Sequence, residues 1–200
     1  MHLRITWISL HAFLVGGVLM GFEMLGSRYL YPYFGGGIAT WAGLISTILL
    51  ALAIGYFIGG ALVDRYPSPS IMAAAIALAA AYLAAIPATA DQIIEVILHT
   101  CGEGPPGILA AASILLLIPM SLLGMFSPVS VRLLVRSTAE TGRLAGLMYS
   151  VSTVGSVFGT LFTTFVLIPT IGSRGITYLY ACVLGLCALG ISFTPRAPVE

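Results

Sequence analysis

Residues 38–63 read IATWAGLISTILLALAIGYFIGGALV, without one charged side chain. A helix rises about 1.5 Å per residue, so about 20 mostly apolar residues cross the roughly 30 Å hydrocarbon core of a bilayer. Lipid offers the backbone no hydrogen-bond partner, so an apolar run of this length reads as a membrane-spanning helix. The run ends at Asp64-Arg65, and Tyr66-Pro67-Ser68-Pro69 follows. Charge and proline together close the span there.

Working outward, five more stretches have the same character: 5–29, 70–88, 108–134, 144–168 and 176–193. The breaks carry turn chemistry: Pro32 with Gly35-Gly36-Gly37, then residues 102–107 with Pro105 and Pro106, residues 137–143, and residues 169–174. Apolar Ile93, Ile94, Val96 and Ile97 alternate with Asp91, Gln92 and Glu95. That pattern predicts a short amphipathic helix at the membrane surface, within an outer loop over residues 89–107. The expected fold class is an all-α integral membrane protein with six transmembrane helices in a single domain over residues 1–200.

Composition agrees. Hydrophobic residues make up 59% of the chain, charged residues 8%, and the mean hydropathy is +1.07. A soluble domain carries about 25% charged residues to cover its surface. All eight basic residues are Arg, no polybasic tract exists, and the net charge is +1, which argues against a nucleic-acid partner. Three cysteines make no disulfide framework. The basic, apolar N-terminus is expected to be the first membrane helix rather than a cleaved signal, because its apolar run exceeds a signal's and no small-residue site closes it.

With six spans both termini share a side. That side would hold Arg4, Arg65, Arg132, Arg136, Arg143 and Arg196, against Arg28 and Arg174 on the other. Basic residues collect in cytoplasmic loops, so both termini are expected in the cytoplasm of a multi-pass cell-membrane protein.

Glycine pairs at four-residue spacing (Gly17/Gly21, Gly55/Gly59, Gly155/Gly159) let helices approach closely; ordinary packing is the main expectation and a dimer face the sharper one. The fifth span is rich in hydroxyls: Ser150, Ser152, Thr153, Ser156, Thr160, Thr163 and Thr164. These either bond back to their own helix or line a polar cavity.

Glu23 lies inside the first apolar run. A carboxylate at the centre of a membrane helix costs about 2.5–3.5 kcal/mol on insertion scales and suggests a cation or proton site. A structural pair with Arg28 is the equal alternative. Five residues turn a helix by about 140°, so that pair would need a break near Gly26. His11 is expected to be a hydrogen-bonded core residue. His99, Cys101 and Glu103 alternate in the outer loop but form only a weak metal-ligand signal. Neither a metal nor a cofactor is expected, and no catalytic motif is present, so an enzyme is not expected. Asp64 is expected to pair with Arg132 or Arg136 in a charge network that includes Arg65 and Glu140, or to sit in a surface pair worth little.

Gly60-x-Leu62-x-Asp64-Arg65 resembles the cytoplasmic loop motif of the major facilitator superfamily, although Tyr66-Pro67-Ser68 replaces the glycine and basic run that usually follow. A fuller resemblance is to the membrane region of fused major-facilitator/spermidine-synthase-like proteins. It covers roughly residues 15–175. Its first part rests on Glu23, Arg28, Pro32, Phe34-Gly35, Trp41, Leu52-Ala53-Ile54-Gly55-Tyr56, Gly59-Gly60 and Asp64-Arg65. Its second part rests on Ser127-Pro128, Arg132, Gly142, Gly146, Tyr149, Ser152-Thr153, Gly155-Ser156, Gly159-Thr160, Phe165, Ile168-Pro169 and Gly172-Ser173.

The resemblance implies a six-helix bundle like one half of a major facilitator. The family's aminopropyltransferase-like domain is expected to be missing after Phe193, and polyamine synthesis with it. The leading expectation is a transporter-like module, working as a homodimer on a small cationic or amine metabolite. Its candidate substrate-binding residues are Glu23, Arg28, Trp41, Tyr149, Ser152 and Ser156. The alternative is a non-transporting anchor or regulatory subunit for a soluble synthase-like partner or a larger membrane complex.

Overall fold

The computed structural model of the chain describes residues 2–135 and 140–193. These residues are helical almost throughout, with no strand among them. Helix α1 is His2–Phe34, α2 is Ile38–Arg65, α3 is Pro69–Cys101 and α4 is Pro105–Leu134. Helices α5 (Thr141–Phe162) and α6 (Ile168–Ser192) are joined through a π-helical turn, Thr163–Leu167. Five stretches are long and apolar enough to cross a membrane: α1, α2, α3, α4 and the joined run Thr141–Ser192. The chain is all-α, with the build of a multi-pass membrane protein.

The joined run has 52 residues. If straight it would extend about 78 Å, more than twice the hydrocarbon core. It breaks at Gly172, whose φ of 70° and ψ of 164° are essentially open to glycine alone. Contacts with α1 give the direction of each limb. Gly16 meets Ser152, Gly17 meets Gly155 and Gly159, and Gly21 meets Thr163, so α5 runs parallel to α1. Gly21 also meets Tyr180, while Trp7 and His11 meet Gly190, so α6 runs antiparallel to α1. The chain doubles back at Gly172. The end of α6 therefore lies beside the start of α1, where Trp7 Nε1 donates to the Gly190 carbonyl oxygen at 3.3 Å.

Two expected boundaries are corrected. The segment 91–99 is not a separate surface helix. It is the continuation of α3, which runs through Pro87 to Cys101 and stops at Gly102, where φ is 74°. Ala84, Ala85 and Ala88 around the proline are strong helix formers. Leu83, Pro87, Ala90, Ile94 and Ile97 continue the buried stripe of α3 at helical spacing. Of the apolar residues that suggest a membrane surface, Ile94 and Ile97 thus pack inside the bundle, whereas Val96 is exposed. Helix α1 likewise passes Pro32 and ends at Gly35, whose N–H returns to the Tyr31 carbonyl at 2.9 Å and whose φ is 67°. A proline in a last turn removes one helical hydrogen bond without ending the turn.

The core is filled by Phe22, Leu25, Leu30, Leu44, Ile76, Leu83, Leu115, Leu116 and Met120, all fully buried. In lipid, apolar burial gives little drive for helices to associate, so close packing and interhelical hydrogen bonds carry more of it. The glycines supply the closeness. A Cβ at Gly155 would sit 2.8 Å from Phe13 Cα, and one at Gly59 would sit 2.8 Å from Met125 Cα. These contacts seat α1 on α5 and α2 on α4.

Candidate functional site

Two cavities line the side of α1 that faces α2 and α5. The first, about 290 Å³, lies towards the start of α1. Gly16, Leu19 and Met20 of α1 line it with Leu52 and Tyr56 of α2, Ser127 of α4, and Tyr149, Ser152, Thr153 and Ser156 of α5. The second, about 350 Å³, lies towards the other end of the same helices. Its walls include Ser27, Arg28 and Tyr31 of α1, Thr40 and Trp41 of α2, and Thr164 and Ile168 beyond α5.

Glu23 lies between the two. At about 100° per residue it stands within about 20° of Gly16 and about 40° of Ser27 on the surface of α1, so it shares their face. It is half-buried. α1 is unbroken at Gly26, which packs against Leu116 and Leu44 instead of bending the chain. Among the described residues Glu23 and Arg28 make no ion pair. The continuous helix keeps the two side chains about 140° apart, which is why the structural pair does not form.

The hydroxyls of α5 do both things open to them. Thr153, Ser156, Thr160 and Thr163 bond back to the carbonyls of Tyr149, Ser152, Ser156 and Gly159 respectively. Ser156 also donates to the Gly16 carbonyl at 3.2 Å, tying α5 to α1. Ser152, Thr153 and Ser156 also line the first cavity. Thr164 differs: its Oγ1 is buried and has no hydrogen-bond partner. Thr164 falls inside the π-helical turn, where the regular four-residue ladder is interrupted.

The six candidate residues are thus spread along the length of α1 and the helices beside it. Tyr149, Ser152 and Ser156 line the first cavity, Arg28 and Trp41 the second, and Glu23 lies on the face between. Tyr56 and Ser127 also line the first cavity, and Ser27, Tyr31 and Thr40 the second, without being expected there; Thr153 and Thr164, of the hydroxyl-rich span, line the first and second respectively. Tyr56 carries a visible signal, a phenol inside an uncharged apolar run. Thr164 carries only the general signal of the hydroxyl-rich span, because the π turn that frees it has no sequence mark.

The remaining candidates lie elsewhere. Arg132 Nε and Asp64 Oδ1 are 3.5 Å apart on an exposed surface, so the expected pair forms but contributes little. Arg136 lies outside the described residues. Arg65 lies over the Tyr66 ring at 5.5 Å, and neither it nor Glu140 has an ion-pair partner among the described residues. His11 is buried; its Nδ1 donates to the Trp7 carbonyl at 2.8 Å, as a core histidine should. His99 and Cys101 are exposed, and no group of three metal-ligating side chains occurs among the described residues. At the far end from Trp7, Arg174 pairs with Asp91, and Tyr29 Oη lies 2.9 Å from Thr177 Oγ1.

No family model, curated protein or solved structure matches the chain.

Proposed function

We propose that the chain is a transporter-like membrane module of six spans, built like one half of a major facilitator. The reversal at Gly172 supports six, since it divides the 52-residue run into two antiparallel limbs. Both termini lie in the cytoplasm on this reading, which rests on the arginine distribution.

The observation that carries the functional reading is the position of Glu23. An acid within a membrane helix is expensive unless it serves a polar pathway. Here it shares a helix face with residues lining two polar-walled cavities, and it has no ion-pair partner among the described residues. A small cationic or amine metabolite fits a carboxylate in that setting. The outward side of α5 (Val154, Val157, Phe158 and Leu161) and of the turn after it (Phe165) is exposed and apolar. A second copy of the chain against this region would complete a two-half cavity, as facilitator-type folds bind substrate between halves.

Uptake of labelled mono- and diamines into proteoliposomes tests the reading. Wild-type protein accumulates at least one of them, and Glu23→Gln abolishes that uptake. Unchanged uptake by the variant would rule out the assigned role of Glu23. Copurification of a stoichiometric partner, with no uptake, favours the anchoring alternative.

A further inference from the structure

We propose that the cavity around Arg28 binds the acid group of a small solute. Three independent features converge on it. Arg28 lines the cavity and has no carboxylate partner among the described residues. A guanidinium is always charged and presents planar donors suited to a carboxylate.

The second feature is the start of α2. Its cap, Gly37, offers no side-chain acceptor to the first-turn N–H groups, and Gly35, Gly36, Thr40 and Trp41 form the adjoining wall. Free amides and the positive end of the helix dipole favour an anion there. The third is Thr164. Four other threonines of this run, at positions 153, 160, 163 and 170, all bond to carbonyls of their own helix. Thr164 also lines the cavity, and its buried hydroxyl has no partner. Buried hydroxyls are nearly always satisfied, so an unpaired one marks a place where a ligand or water completes the set. A cation, two kinds of neutral donor and no opposing carboxylate in the cavity wall select for negative charge.

The site has a consequence for the substrate. Along α1, Arg28 and Glu23 are separated by an axial rise of about 7.5 Å and by about 140° around the helix, with Ser27 of the cavity wall between them in angle. If the amine reading of Glu23 holds, on which this step rests, the ligand is an amino-carboxylate with separated charges. Its acid end lies against Arg28 and Thr164, and its amine end points towards Glu23.

Equilibrium binding to the full chain in phosphatidylcholine nanodiscs tests this with three probes: butyrate, butylamine and 4-aminobutyrate. Butyrate and 4-aminobutyrate bind, and Arg28→Gln weakens both at least tenfold while the protein still elutes and melts like wild type. Arg28→Lys keeps part of the affinity. Thr164→Val, nearly isosteric, weakens both probes severalfold. Failure of both acids to bind, or wild-type affinity in Arg28→Gln, overturns the site. Butyrate binding through Arg28 without any butylamine response supports the acid site and instead removes the amine reading of Glu23. A phosphatidylethanolamine headgroup carries the same two charges and, unlike the choline of the nanodisc lipid, a primary ammonium able to donate to a carboxylate. If that lipid in the nanodisc abolishes probe binding, the occupant is lipid and a free solute is overturned.

Discussion

Gly17 and Gly159 meet backbone to backbone, and a Cβ on Gly159 would stand 2.6 Å from Gly17 Cα. The contact fixes how near α5 comes to α1, and hence where the hydroxyls of α5 stand relative to Glu23. Neither backbone can yield as a flexible side chain would. Gly159→Ala should therefore destabilise the fold by about 1–3 kcal/mol, the usual range for overpacking. Gly146→Ala is the control: nothing lies within 4 Å of its added Cβ, and alanine in a helix is favoured over glycine by about 0.5–1 kcal/mol. Thermal unfolding in detergent should separate the two in opposite directions.

Hydroxyl pairs tie the antiparallel limb α6 to the turn before it and to α1. Tyr180 bonds to Thr163, and Tyr29 to Thr177. Each threonine also bonds to its own helix, at Gly159 and Ser173. Removing a tyrosine hydroxyl thus leaves no stranded partner. Tyr180→Phe and Tyr29→Phe should each cost about 0.6 kcal/mol and at most about 1.7, the range for interhelical hydrogen bonds in membranes. A larger loss on unfolding would mean that the threonines depend on the phenols.

Gly172 makes the reversal through its backbone rather than through a tight contact, since nothing lies within 4 Å of an added Cβ. Its φ of 70° and ψ of 164° lie away from the left-handed helical region that Asn tolerates. Gly172→Ala and Gly172→Asn should both destabilise by about 1–3 kcal/mol, with no rescue by Asn. Folding yield and melting temperature of the two variants check this.

Cys101 is the exposed last residue of α3, whereas Cys187 is buried and Cys182 lies on an apolar helix. With six spans and cytoplasmic termini, a membrane-impermeant thiol reagent should label Cys101 only from the side opposite the termini. Labelling from the terminal side would require a different number or direction of spans.

The apolar runs made the helices legible, because lipid enforces helix over any such length. The two misplaced ends have different causes. Pro32 reads as a stop locally, yet it falls in the last turn of α1; Asp91, Gln92 and Glu95 interrupt the apolar run after residue 88, while the burial of Ala90, Ile94 and Ile97 carries α3 on. Glu23 was legible as an anomaly, but the unbroken helix at Gly26 decides against its pairing with Arg28, and only packing could show that. The hydroxyl richness of α5 was plain in sequence. Which hydroxyls reach a cavity depends on the register set by Gly155 and Gly159, and on a π turn with no local signature.

The central claim is that water and a polar solute reach the face of α5 beside α1. Thr153 lines the first cavity, whereas Val154, its neighbour at the same depth and about 100° round the helix, belongs to the exposed apolar side. Thiols react as thiolates, which form in water and not in hydrocarbon. In a background with Cys101, Cys182 and Cys187 replaced by Ser or Ala, an impermeant thiol reagent should modify Thr153→Cys in membranes and leave Val154→Cys untouched. If Thr153→Cys stays as inert as Val154→Cys, no aqueous cleft exists there and the transporter-like reading is contradicted.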